Sequence, residues 1–109
     1  LRDYARFGLF ILEKGEINGV SVFPEDWLAH ATTKQTGIGK EGKGYGYQWW
    51  TFDDGSFTAR GIFGQTIFID PNNQLVVAFN GNWPNASDSN LNDKRFAFID
   101  RVKAAIAAE

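Results

Sequence analysis

The sequence predicts an α+β fold, an antiparallel β-meander of about three strands covered by helices. Three observations carry this. Helical periodicity occupies both ends of the chain, and two-residue alternation occupies the middle. Short Asp-Gly and Asp-Pro-Asn turns separate the alternating runs, so successive strands pair antiparallel; a parallel pair needs a long crossover. Of 109 residues, 43% are hydrophobic and 16% aromatic, enough for one domain with a modest core.

The first helix spans Leu1 to Lys14. Leu1, Tyr4, Ala5, Gly8, Ile11 and Leu12 form one stripe, and Phe7 and Phe10 lie off it, which suggests burial between two layers. Gly15 stops it. Glu16 to Phe23 reads as a small hairpin turning at Asn18-Gly19. Pro24 opens a second helix, about 24–32, at its first position, with Trp27, Leu28 and Ala31 on its apolar side. His30 reads as a surface or capping residue.

Thr33 to Gly44 reads as a surface loop. Its Gly37 to Gly44 stretch superficially matches two phosphate-binding motifs, but a helix precedes it and a strand follows, the reverse of what those motifs need. Strands are expected at about 45–52, 57–70 and 74–81. The middle one organises the chain: Phe57, Ala59, Gly61, Phe63, Ile67 and Ile69 share a face. Gly61 and Gly64 would weaken a strand interior, so a close approach to the backbone, a bulge or a tight crossing is expected there. The last helix, about 93–108, keeps Phe96, Ile99, Val102 and Ile106 in register, with Asn92 or Asp93 as its cap.

A net charge of -2 argues against a nucleic-acid surface, and no apolar run approaches a membrane span. There is no cysteine and a single histidine, which excludes thiolate and histidine-rich metal sites; no cofactor is expected. The sequence has no Met and opens at Leu1 inside an amphipathic pattern, so it reads as the C-terminal piece of a longer protein. Ser21, Ser56, Thr58, Ser87 and Ser89 are candidate nucleophiles by residue type, but none stands in S-x-x-K or G-x-S-x-G. Ser87-Asp88-Ser89-Asn90 is a chance likeness to S-D-N. The Glu13/Glu16 and Asp53/Asp54 pairs read as solvated carboxylates.

Four segments, R-D-Y-A-R-F-G-L-F-I-L-E-K-G, G-V-S-V-F-P-E-D-W-L, G-Y-G-Y-Q-W-W and A-R-G-I-F-G-Q-T-I-F-I-D-P, occur in an order that resembles the C-terminal part of serine β-lactamase-like proteins. The branch is that of class C β-lactamases, esterases and 6-aminohexanoate-dimer hydrolases. In that family a Ser and Lys in S-x-x-K and a Tyr in Y-x-N precede this region; none is present here. The family's Lys-Thr-Gly strand motif resembles Ala59-Arg60-Gly61 by position, followed by Ile62. The exchange of Lys-Thr for Ala-Arg tilts the expected substrate from β-lactams toward other amides or esters.

The resemblance implies that the Ile62 backbone N–H is an oxyanion donor and that Gly61 keeps the edge open to substrate. Arg60 and Gln65 become candidate substrate contacts. It further implies a hydrolase that is inactive as this chain alone, whose partner is the polypeptide upstream of Leu1, in a periplasmic or secreted setting. The rival reading is a binding or structural module, with Trp49, Trp50 and Trp83 exposed together on one face; a non-catalytic relative is the third.

Overall fold

The computed structural model describes residues 1–108. The α+β class and the antiparallel meander are as expected, but the sheet has six strands rather than three. Helix α1 (Arg2–Leu12) leads into a hairpin of β1 (Glu16–Ile17) and β2 (Val20–Ser21), followed by the short helix α2 (Trp27–Ala31). Then come β3 (Thr36–Gly37), β4 (Lys43–Tyr45), β5 (Trp50–Phe52), β6 (Phe57–Arg60), β7 (Thr66–Asp70) and β8 (Leu75–Phe79), paired in that order, and helix α3 (Ser89–Ala107).

The expected strand over 57–70 is two strands. Phe57 pairs with Ile69 and Ala59 with Ile67, and the chain reverses between them through a 3-10 turn at Ile62–Gly64. Alternation survives the reversal because residues of equal parity lie opposite each other. The two glycines mark that turn. The expected strand over 45–52 also splits, at Gly46 to Trp49. A Cβ on Gly46 would sit 2.1 Å from Ala31 O, and Tyr47 N donates to that same oxygen, so the chain bends around the end of α2.

Other boundaries move for local reasons. The loop expected over 33–44 folds back as β3 and β4, with Gly37 opposite Gly44. Glu16 to Ser21 forms the expected hairpin, with Asn18 and Gly19 both at positive φ. Asp26 adopts φ 62°, so Pro24 to Asp26 form a turn and α2 begins at Trp27. Asp88, not Asn92 or Asp93, caps α3: its Oδ1 accepts from Leu91 N at 3.0 Å, which starts the helix at Ser89.

The two faces of the sheet are covered differently. Helix α1 lies on β7 and β8, over a core of Ile11, Ala31, Trp49, Phe57 and Ile69. Helix α3 covers the other face, with Phe96 edge-on to Phe52 at 5.7 Å and Phe98 edge-on to Phe79 at 5.6 Å. Ile99 is buried on that side. A polar latch holds the far end of α3: Lys103 Nζ lies 2.8 Å from Asp54 and 3.7 Å from the buried Asp70. Burial by itself would raise the Asp54 carboxyl, but hydrogen bonds from Lys103 and Ser56 outweigh it and bring the pKa to about 2.

Candidate functional site

The site forms where β6 ends. Gly61 N donates to Gln65 O at 3.0 Å, closing the turn, and Ile62 stands exposed at its tip. As the first residue of a 3-10 turn, Ile62 has an N–H with no intrahelical acceptor, and it has no other partner among the described residues. Phe63 is held at φ 61°, a left-handed conformation that costs a bulky residue free energy and needs its surroundings to enforce it. The segment after β8 does so: Phe63 N donates to Ala86 O at 2.9 Å, and Trp83 N donates to Phe63 O at 3.1 Å. The tip is therefore clamped from outside the hairpin.

Arg60, Gly61 and Ile62 border two cavities. One, of about 420 Å³, lies toward α3 and includes Trp50, Trp83, Ser87, Asn92 and Arg95. The other, of about 590 Å³, lies toward Tyr4 of α1 and includes Phe63, Gln65 and Phe79. The four residues singled out from sequence thus sit together. Gln65 is on the α1 side only, and its side chain leans on Gly61, where an added Cβ would lie 3.3 Å from Gln65 Oε1. Gly61 itself is extended, a backbone open to any residue, so its value here is the space it leaves.

Arg60 stacks over the Trp50 ring at 4.5 Å and reaches Asn92 Oδ1 at 3.5 Å. Arg95, which sequence reasoning did not single out, stacks over Trp83 at 4.8 Å and donates to Thr66 Oγ1 at 2.6 Å and to Asn92 Oδ1. Its one sequence signal is the helical spacing from Asn92. Burial lowers the Arg60 pKa. Burial and then the nearby Arg60 charge pull Arg95 down to about 10, which leaves it cationic at neutral pH.

The candidate nucleophiles inside the fold are committed elsewhere. Thr58 Oγ1 donates to Ile67 O at 2.9 Å, and the buried Ser56 Oγ is held by Asp54. Ser87 and Ser89 border the α3-side cavity beside Asp88, whose carboxylate caps the helix. His30 is on the surface. Trp49 is buried, packed edge-on to Phe57 at 5.2 Å, whereas Trp50 and Trp83 are half-buried beneath the two arginines. The three indoles do not form a shared exposed face: Trp49 is in the core, and Trp50 and Trp83 border the α3-side cavity.

The comparisons agree with this architecture. The family model described as Beta-lactamase matches residues 1–99. A solved structure from Bacillus anthracis, named by inference a 6-aminohexanoate-dimer hydrolase, superposes with a TM-score of 0.78 at 28% identity. The match covers 98% of this chain and 29% of that protein, so the chain spans under a third of its relative's length. The chain belongs to the beta-lactamase family.

Proposed function

We propose that this chain supplies the oxyanion-hole edge of a serine hydrolase that cleaves amide or ester bonds through an acyl-enzyme. The observation that carries it is the Ile62 N–H, without an acceptor among the described residues, at an exposed, clamped turn between two cavities. A tetrahedral intermediate develops negative charge on the former carbonyl oxygen, and a fixed backbone donor stabilises it without reorganising. Ile62 N–H is one donor. The second is the N–H of the nucleophilic serine, which lies, with its Lys and Tyr, in polypeptide upstream of Leu1. That upstream polypeptide is the chain's partner, and an amide, ester or β-lactam is the substrate of the whole.

This chain alone is then inactive, because neither S-x-x-K nor Y-x-N is in it. The test is a fluorophosphonate probe read by intact mass. It is applied to this chain and to the protein extended upstream to its natural start. The expected result is one label on the extended protein and none on this chain. Label on the 109 residues alone would sink the assignment of the nucleophile upstream. No label on either would favour a non-catalytic relative.

A further inference from the structure

We propose that Trp83 is a positioning residue for the reaction, its ring bracing the β6–β7 turn so that the Ile62 N–H keeps the orientation an oxyanion needs. This deepens the oxyanion-edge reading and rests on it. The peptide that carries the Ile62 N–H lies between two anchored ones. On one side Gly61 N donates to Gln65 O at 3.0 Å, within the hairpin. On the other, both backbone groups of Phe63 are held by the segment after β8: its N donates to Ala86 O at 2.9 Å, and its O accepts from Trp83 N at 3.1 Å. The left-handed φ of 61° at Phe63 persists only while such outside contacts enforce it.

The brace is rigid in its own right. Trp83 Cδ1, Nε1 and Cε2 stand 2.5–2.8 Å from where a Gly64 Cβ would be, so the flat of the five-membered ring meets that residue. The Arg95 guanidinium lies over the same indole at 4.8 Å, and Arg95 donates to Thr66 Oγ1 at 2.6 Å. Thr66 opens β7, the strand that leaves the turn. The indole is thus wedged between the turn and a side chain anchored to the turn's own strand. Gly81 adds backbone contact: a Cβ there would lie 2.6 Å from both Gly64 Cα and Phe63 O. The plain alternative is that this segment only routes the chain to α3 and buries a ring. A route gives no reason to bond both backbone groups of one left-handed residue, the one next to the candidate donor. A donor that must meet a developing charge without reorganising does, because a displacement of about 1 Å can cost about a hundredfold in rate.

The test is a double-mutant cycle on the full-length natural protein, with kcat and KM measured on p-nitrophenyl acetate. Trp83→Ala should lower kcat by about 10- to 100-fold with KM little changed. Trp83→Phe, which returns a flat ring, should restore most of that loss. Should Trp83→Ala not fold by circular dichroism, Trp83→Leu, apolar but without a flat ring, takes its place. A residue that acts through the Ile62 N–H has no effect once that N–H is gone. In an Ile62→Pro background Trp83→Ala should therefore change kcat by no more than about twofold, and in an Ile62→Ala background it should keep its full effect. An equal fall of kcat in both backgrounds, or an unchanged kcat in the folded single variant, would overturn the brace and leave the oxyanion reading standing. An Ile62→Pro protein with wild-type kcat would remove the oxyanion reading itself, and the brace with it.

Discussion

Trp83 lies against Gly64 with no room for a side chain between them. A Cβ on Gly64 would stand 2.5 Å from Trp83 Nε1, and Gly64 holds φ at +98°. This contact presses the segment after β8 onto the turn that carries Ile62. Gly64→Ala therefore meets both a disfavoured backbone and an overpacked ring. The expected destabilisation is roughly 2–5 kcal/mol, read from the urea midpoint. A loss below about 0.5 kcal/mol would mean that the turn tolerates rearrangement.

Ile62→Pro isolates the proposed oxyanion donor. Proline is tolerated at the first position of a helical turn, and Gly61, at φ -102° and ψ 169°, already has the extended conformation that a following proline requires. The substitution removes the N–H together with the Ile side chain that borders both cavities, and Ile62→Ala, which keeps the N–H, is the control for the side chain. In the full-length protein, kcat on an ester substrate should fall by about 100- to 1000-fold with the fold intact by circular dichroism. Unchanged kcat would exclude Ile62 N–H from the oxyanion hole.

The Lys103–Asp54 latch sets a pH dependence. The Asp54 carboxyl is depressed from 3.8 to about 2, so its contribution is complete above 3.8 and is lost as the pH falls through about 2. The hydrogen bond to Asp54 raises Lys103 above 10.5 against the opposing effect of burial, so that contribution is present below 10.5 and is lost on alkaline titration beyond it. The Asp54 side chain is 50% exposed, and solvent screening keeps the effect within about 1 kcal/mol. Thermal melts of Lys103→Met between pH 2 and 5 should show a flatter acid limb than wild type. Parallel limbs would refute the latch.

Core and surface positions should separate cleanly. Ile69 is 0% exposed between α1 and the sheet, whereas Phe98 on α3 is 51% exposed. Ile69→Ala should cost about 2–5 kcal/mol in denaturant unfolding, and Phe98→Ala much less. Comparable losses would place Phe98 under a covering element in solution.

Periodicity and turn chemistry together determined the α+β class, the antiparallel meander and the shared face of Phe57, Ala59, Ile67 and Ile69, because core contact repeats every second residue in strands and every third or fourth in helices; Gly61 and Phe63, expected on that face, lie exposed at the turn instead. The glycines and the family resemblance, not periodicity, singled out the Arg60–Ile62 edge. What periodicity could not register was the reversal between β6 and β7, since equal-parity pairing leaves the alternation unbroken. Nor could it find Arg95, which meets Thr66 twenty-nine positions away, or the role of Asn92, whose amide faces two arginines rather than a helix start. Those contacts join residues distant in sequence. Only the packing of α3 across the sheet brings them together, and that placement decided which polar groups face the cavity and which cap or staple the fold.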